Sequence, residues 1–169
     1  MNAAQHGTLT EKDEKTMTRS STLPENSEIE IPEAHKALLA DNHNGLISTI
    51  RHKDGLISTH PVSYVFDGEC VRVSTLKSRV KYDNLLANPT VTFCVIHHAD
   101  HTKYVELRGV ASIEEDPDRS FLRRQFREGS GGVEAPPDLD PPGSTRVIVR
   151  IHPYQSSSPL LYGGRFSTE

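Results

Sequence analysis

Between Ser74 and Pro89 three cations stand two residues apart, Lys77, Arg79 and Lys81, and the hydroxyls of Ser74, Thr75 and Ser78 accompany them. Side chains of these types, so spaced, can surround an anion. An alternating strand, Cys70 to Thr75, leads into a turn. Ser78 stands where a helix N-cap is expected, before Leu85 and Leu86 on an apolar face and a stop at Asn88-Pro89. A helix start already carries roughly half a positive charge, and a cation placed there is unfavourable by about 0.3 to 1 kcal/mol unless something offsets it. A bound phosphate or carboxylate would offset it, because backbone N–H groups, hydroxyls and cations converge on one anion. A solvated basic helix start paired with surface acids is the other reading. No glycine-rich loop of the dinucleotide or P-loop type precedes the helix, so this is not an ordinary nucleotide fingerprint.

The rest of the chain must position that stretch. Its 169 residues fit one domain of about 140 residues after a tail. A net charge of −4 argues against a nucleic-acid partner, which needs a basic surface. Cys70 and Cys94 are the only cysteines and both lie in apolar strand patterns, so we expect no disulfide framework and a cytoplasmic, reducing home. The longest apolar run, Val91 to Ile96, is too short for a membrane span, and no signal sequence or membrane association is expected.

Residues 1–28 are polar, without periodicity, and are expected to be a disordered tail before a domain at 29–169. Pro32 fits a first helical position, with Ile31, His35, Leu38 and Leu39 on one face and an end near Asp41. Strands are expected at Gly45 to Arg51, Leu56 to Phe66 and Cys70 to Thr75, joined by turns at His52-Lys53-Asp54-Gly55 and Asp67-Gly68-Glu69 as a three-stranded meander. Pro61 lacks an N–H and belongs on an edge or at a bulge. Thr90 to Ile96 reads as a strand buried on both faces, and Lys103 to Glu114 as one that alternates cleanly. Asp116-Pro117 opens a helix with Phe121, Leu122 and Phe126 as its stripe; a Gly/Pro-rich loop follows to Gly143, and Arg146 to His152 is the last strand. The terminal Leu160, Leu161, Tyr162 and Phe166 suggest docking, on another subunit if the chain dimerises.

His97, His98, Asp100 and His101 invite a metal reading. Neighbouring His97 and His98 are expected to point to opposite sides of an extended strand end, so we expect a polar hairpin loop and no metal site.

The order of elements, with Gly45-Leu46-Ile47-Ser48-Thr49-Ile50, Asp54-Gly55, His60-Pro61-Val62-Ser63-Tyr64 and the Ser74 to Pro89 stretch, resembles the pyridoxamine 5'-phosphate oxidase-like flavin and deazaflavin oxidoreductases from about Glu33 to Tyr162. The resemblance implies a mainly β fold with flanking helices, a six-stranded split β-barrel of the FMN-binding type. It also implies that the basic stretch holds a cofactor phosphate in a groove shared by a homodimer. The spacing Lys77-Ser78-Arg79-Val80-Lys81 is more similar to the branch that uses the deazaflavin coenzyme F-420, with FMN the alternative cofactor. On that basis Lys77, Arg79 and Lys81 are assigned to the phosphate or anionic tail, with Ser74, Thr75 and Ser78 as supporting hydrogen-bond partners. Asn84 is assigned to the tail by analogy, and Thr59, Pro61, Val62 and Ser63 to the strand flanking the ring. The implied activity is hydride transfer to a small conjugated or unsaturated substrate. A pyridoxamine phosphate oxidase-like enzyme using FMN, or a split barrel that binds flavin, deazaflavin or haem without turnover, are the alternatives. The cofactor would carry the chemistry, which explains why no catalytic acid-base pair stands out.

Overall fold

The computed structural model describes residues 29–158; the stretch expected to be a tail, and Leu160, Leu161, Tyr162 and Phe166, lie outside the described residues. Within them the chain runs α1 (Glu33–Ala40), β1 (Asn44–Ile50), β2 (Ile57–Ser63), β3 (Val65–Phe66), β4 (Val71–Leu76), α2 (Val80–Ala87), β5 (Thr90–Ile96), β6 (Tyr104–Glu115), α3 (Ser120–Gly129) and β7 (Arg146–Ser157). All seven strands belong to one sheet in the order β2-β1-β5-β6-β7-β4-β3, and every pairing is antiparallel. The sheet curls until β2 comes back against β4 without a hydrogen-bond ladder between them. That unzipped seam makes it a split barrel.

The seam is crossed by the segment expected to be one long strand, and this corrects both the count of six strands and the simple meander. The chain breaks at Tyr64: residues before it pair with β1, and Val65 and Phe66 pair with β4 at the far edge. Tyr64 is buried at 2% exposure, donates its hydroxyl proton to the Leu39 carbonyl at 2.7 Å and meets Phe93 edge to face at 5.0 Å. Burying a ring of that size favours folding by about 1.5 to 3 kcal/mol, more than one lost ladder bond at the break. Leu56, expected to begin that long strand, lies outside β2 and is exposed.

Elsewhere the alternation maps directly onto the barrel wall. Gly45, Ile47 and Thr49 of β1, Val91, Phe93 and Val95 of β5, and Val105, Leu107 and Gly109 of β6 are buried. The other face of β5 is half-exposed at Cys94 and open at Ile96, so that strand is buried on one face, not two. Both hairpin turns use a left-handed glycine, Gly55 at φ 71° and Gly68 at φ 99°, which lets the chain reverse without a Cβ clash. The register between β6 and β7 shifts at Arg108/Gly109, and β7 continues past His152 to Ser157. A Cβ on Gly109 would lie 2.4 Å from the His152 carbonyl oxygen, so glycine is required at this bulge.

The helix starts differ from expectation in an instructive way. Pro32 is the cap of α1 and not its first residue. Arg79, in extended backbone, caps α2 without a side-chain hydrogen bond, and Ser78 does not do so. α3 begins at Ser120, later than expected, yet Asp116 still accepts the N–H groups of Phe121 and Leu122 at 3.1 Å each. Asp116 thus satisfies first-turn donors from across an intervening turn.

Candidate functional site

Several elements converge where the barrel is unzipped: the last residues of β2, the end of β4, the start of α2, one side of α3, and the first residue of β7. Between them lies a cavity of about 630 Å³. Pro61, Val62 and Ser63 line it from β2, Ser74 and Thr75 from β4, and Arg79 and Lys81 from the start of α2. These seven were expected from the sequence. Pro61 sits, as its missing N–H requires, on the edge strand of the sheet, opposite Leu46.

Four other expected residues are placed elsewhere. Thr59 is exposed and shares a 2.8 Å hydrogen bond with Ser48 on the β1–β2 hairpin, before the consecutive stretch from His60 to Ser63 that lines the cavity. Lys77 reaches the Glu115 carboxylate at 2.6 Å, and Ser78 is exposed outside the cavity. Asn84 is buried at 2% exposure; its amide donates to Thr49 Oγ1 at 3.0 Å, and its carbonyl accepts the His52 N–H at 3.3 Å. Asn84 therefore ties α2 to the β1–β2 hairpin.

The cavity also contains residues whose role no spacing announces. Arg146 enters from β7 in a two-pronged pair with Asp140, at 2.7 and 2.6 Å, and donates to Ser74 Oγ at 3.0 Å. The Arg146 guanidinium holds the Asp140 carboxyl below its ordinary range. Gln125 on α3 accepts the Ser74 N–H at 3.1 Å, which closes α3 over the end of β4. His60 lies on the inward parity of β2; its Nδ1 is buried and has no hydrogen-bond partner. Burial, then the charge of Lys81, lowers the His60 pKa.

The electrostatics are one-sided. Arg79, Lys81 and Arg146 line the cavity together with His43 and His60, and among the described residues no carboxylate lines it. Asp140 cancels Arg146 from behind. The side chains of Arg79 and Lys81 make no hydrogen bond or ion pair among the described residues. Lys81 is half-buried, and desolvation, then Arg79, lowers its pKa. Two uncancelled cations, one partly desolvated, form a site for an anion at the first turn of a helix. An orphaned imidazole, a cavity wide enough for a ring system and this cation pair together fit a phosphate-bearing flavin-type cofactor.

The histidine loop is arranged otherwise than expected. His97 and His98 stack, with ring centroids 4.7 Å apart and planes at 21°, because the strand has already ended at Ile96. Asp41, and not Asp100 or His101, completes the group of possible ligand atoms, which lie within 4.8 Å of one another. His97 Nδ1 accepts the N–H groups of Ala99 and Asp100, which sets its ring proton on Nε2. Neither nitrogen of His97 is free to ligate without breaking that turn.

Residues 31–156 match the family described as pyridoxamine 5'-phosphate oxidase. A solved structure described as an F420 reductase is 31% identical, with a TM-score of 0.66, over 75% of this chain and 98% of the other. A conserved hypothetical protein from Mycobacterium tuberculosis is 25% identical, TM-score 0.63, over 85% of this chain and 94% of its own. An FAD binding protein from Mycobacterium smegmatis shares the fold at 21% identity and TM-score 0.51, over 76% and 93% of the two chains. No curated protein matches the sequence.

Proposed function

The chain belongs to the pyridoxamine 5'-phosphate oxidase family, and from that premise we propose that it is an oxidoreductase whose seam cavity binds the deazaflavin coenzyme F-420, with FMN the alternative. The observation that carries the reading is a cavity lined by Arg79, Lys81 and Arg146 and, among the described residues, by no carboxylate, in a chain of net charge −4. The relative described as an F420 reductase favours the deazaflavin over FMN.

When bound, such a cofactor supplies a hydride for a small conjugated or unsaturated substrate. The protein's part is to bind and orient. Arg79 and Lys81 hold the phosphate or anionic tail, supported by the first-turn N–H groups of α2. The Arg146–Ser74–Gln125 network fixes the end of β4 so that these cations are presented in one geometry. Pro61, Val62 and Ser63 give the ring an edge-strand wall, and Leu122 and Phe126 of α3 exclude water from the opposite side. The outward Leu56 and Ile57 on the same edge hairpin, 61% and 75% exposed, suit a second copy of the chain, and we assign a C2 homodimer.

Fluorescence titration with reduced F-420 and with FMN tests the reading. Micromolar or tighter binding of F-420, with turnover of a conjugated acceptor, is expected. Binding of FMN alone moves the function to the FMN class, and binding of neither overturns it. Light scattering should report twice the chain mass, and a monomer would remove the shared site.

A further inference from the structure

The cavity has two ends, and the anion reading uses only one of them. Gln125 of α3 accepts the Ser74 N–H beside Arg146, and four residues later Gly129 lies against His43, where a Cβ on it would be 3.9 Å from the His43 Cβ. That stretch of helix spans about 6 Å. β2 runs the same way: the charge of Lys81 reaches His60, whereas Ser63, three residues on, donates its hydroxyl proton to Asn44 Oδ1 at 3.0 Å. Three strand residues span about 10 Å. Cations therefore stand at one end of the cavity, and His43, Asn44 and Ser63 line the other.

The hydrogen bond from Ser63 settles which atom of the Asn44 amide is the acceptor and leaves its NH2 group, like the His43 imidazole, with no partner among the described residues. The fold uses neither group. His43 and Asn44 are exposed at the rim, while at the cation end Lys81 is half-buried and the Arg146 side chain 11% exposed. A retained cofactor suits the deeper end, and a molecule that enters and leaves suits the rim. An anion gains more at Arg79 and Lys81 than at three groups without permanent charge. Uncharged N–H donors suit an oxygen that is neutral at rest and gains negative charge only as it reacts.

We propose that Asn44 and His43 hold the oxygen of the hydride acceptor, and that this acceptor is an α,β-unsaturated carbonyl compound. The proposal rests on the reading of the seam as a cofactor site and deepens it by naming the substrate class and the groups that receive it. A hydride added to the β carbon forms a C–H bond, the C=C pair moves between the α and carbonyl carbons, and the carbonyl pair moves onto oxygen as an enolate. The α carbon then takes a proton from water, so the acceptor gains two electrons and the hydride donor loses two. Asn44 Nδ2–H and the His43 N–H meet the charge as it develops on oxygen. Ser63 is the positioning residue that keeps the amide the right way round.

The experiment uses protein loaded with oxidised F-420 or FMN, so that nothing turns over, and follows cyclohexenone and cyclohexene by ligand-detected saturation-transfer NMR. The preference for the ketone over the hydrocarbon should fall by about tenfold in Asn44→Ala, and in the same sense in His43→Ala, while cofactor affinity holds. With reduced cofactor, kcat for cyclohexenone should drop on the order of 10²-fold in Asn44→Ala, the scale for losing one donor to a developing oxyanion. Cyclohexenone that does not bind the wild type, or binds it and both variants equally, overturns the proposal and leaves the cofactor reading standing. A loss of cofactor affinity in Asn44→Ala also overturns it, because this end of the cavity would then hold the cofactor's own oxygens. If neither F-420 nor FMN binds the wild type, the cofactor reading falls and this inference with it. Should Asn44→Ala not fold, His43→Ala decides by the same two affinities.

Discussion

Arg146 and Lys77 each grip an acid, Asp140 and Glu115, at 2.6 Å, whereas Arg79 and Lys81 grip none. In sequence Lys77, Arg79 and Lys81 form one cluster, and Arg146 is remote. In the fold the cluster divides: Lys77 turns away to the end of β6, and Arg146 joins the cavity that Arg79 and Lys81 line. The difference separates cations that hold the protein together from cations left for a ligand. What distinguishes them is whether the curled sheet brings a carboxylate within reach, and spacing along the chain does not report that.

The largest effect should come from the cancelled pair. The Asp140 side chain is 2% exposed and that of Arg146 11%, so Arg146→Ala leaves a buried carboxylate with both short hydrogen bonds gone and only the longer Arg119 pair at 3.7 Å. A loss of about 3 to 5 kcal/mol in stability is expected, read by denaturant titration. The pair also fixes a pH dependence. Arg146 lowers the folded-state pKa of Asp140, so its contribution is complete above the unfolded value near 4 and disappears as pH falls below it. Arg146→Ala should flatten the acid limb of the stability curve; an unchanged limb would mean that the pair is not a stabilising unit.

The uncancelled cations should behave in the opposite sense. Arg79→Ala and Lys81→Ala should each weaken cofactor binding by about 1.5 to 3 kcal/mol, the scale of a charge-assisted hydrogen bond. The ligand-free melting temperature should stay level or rise, since removing Lys81 relieves both a desolvation penalty and repulsion from Arg79. A ligand-induced rise in melting temperature equal to wild type in both variants would erase the distinction between the two kinds of cation.

How much of this could be read from the chain follows from the range of each interaction. The turns at Gly55 and Gly68, the alternation of β6 and the cationic character of the α2 start are local, and local spacing reports them. The break at Tyr64 depends on a carbonyl of α1 and a ring on β5, both far away in sequence. Asp140 hides in a Gly/Pro-rich loop, where nothing marks it as the partner of Arg146. Thr59 lies just short of the cavity and His60 just inside it, because the curl of the sheet brings only the end of β2 against β4, and that closure is not written in the spacing of β2. Asn84 is the sharpest case. Family analogy placed it on the ligand, and the fold buries it against Thr49 and the His52 N–H, outside the residues that line the cavity. Asn84→Ala should therefore cost about 1 to 2 kcal/mol of stability. Cofactor affinity in variants that remain folded should be unaltered; a loss of binding without a loss of stability would return Asn84 to the site.

The smallest effect is expected at Lys77, and it tests the comparison most directly because this residue stands two positions from Arg79. Its backbone N–H is committed to the Thr145 carbonyl at 3.0 Å and its ammonium to Glu115, an exposed pair of the kind that contributes little to stability. Lys77→Gln should leave both the melting temperature and cofactor affinity where they are in the wild type. Glu115→Gln sharpens the point by releasing the ammonium while leaving the backbone anchor in place. If the seam cavity draws on every cation near the start of α2, the released Lys77 should strengthen binding, most visibly at low salt, where screening is weakest. If direction decides, as the structure implies, affinity should not change in either variant. A Lys77→Gln protein that loses affinity as Lys81→Ala does would mean that the three cations act as one cluster, and the division drawn between paired and unpaired charges would fail.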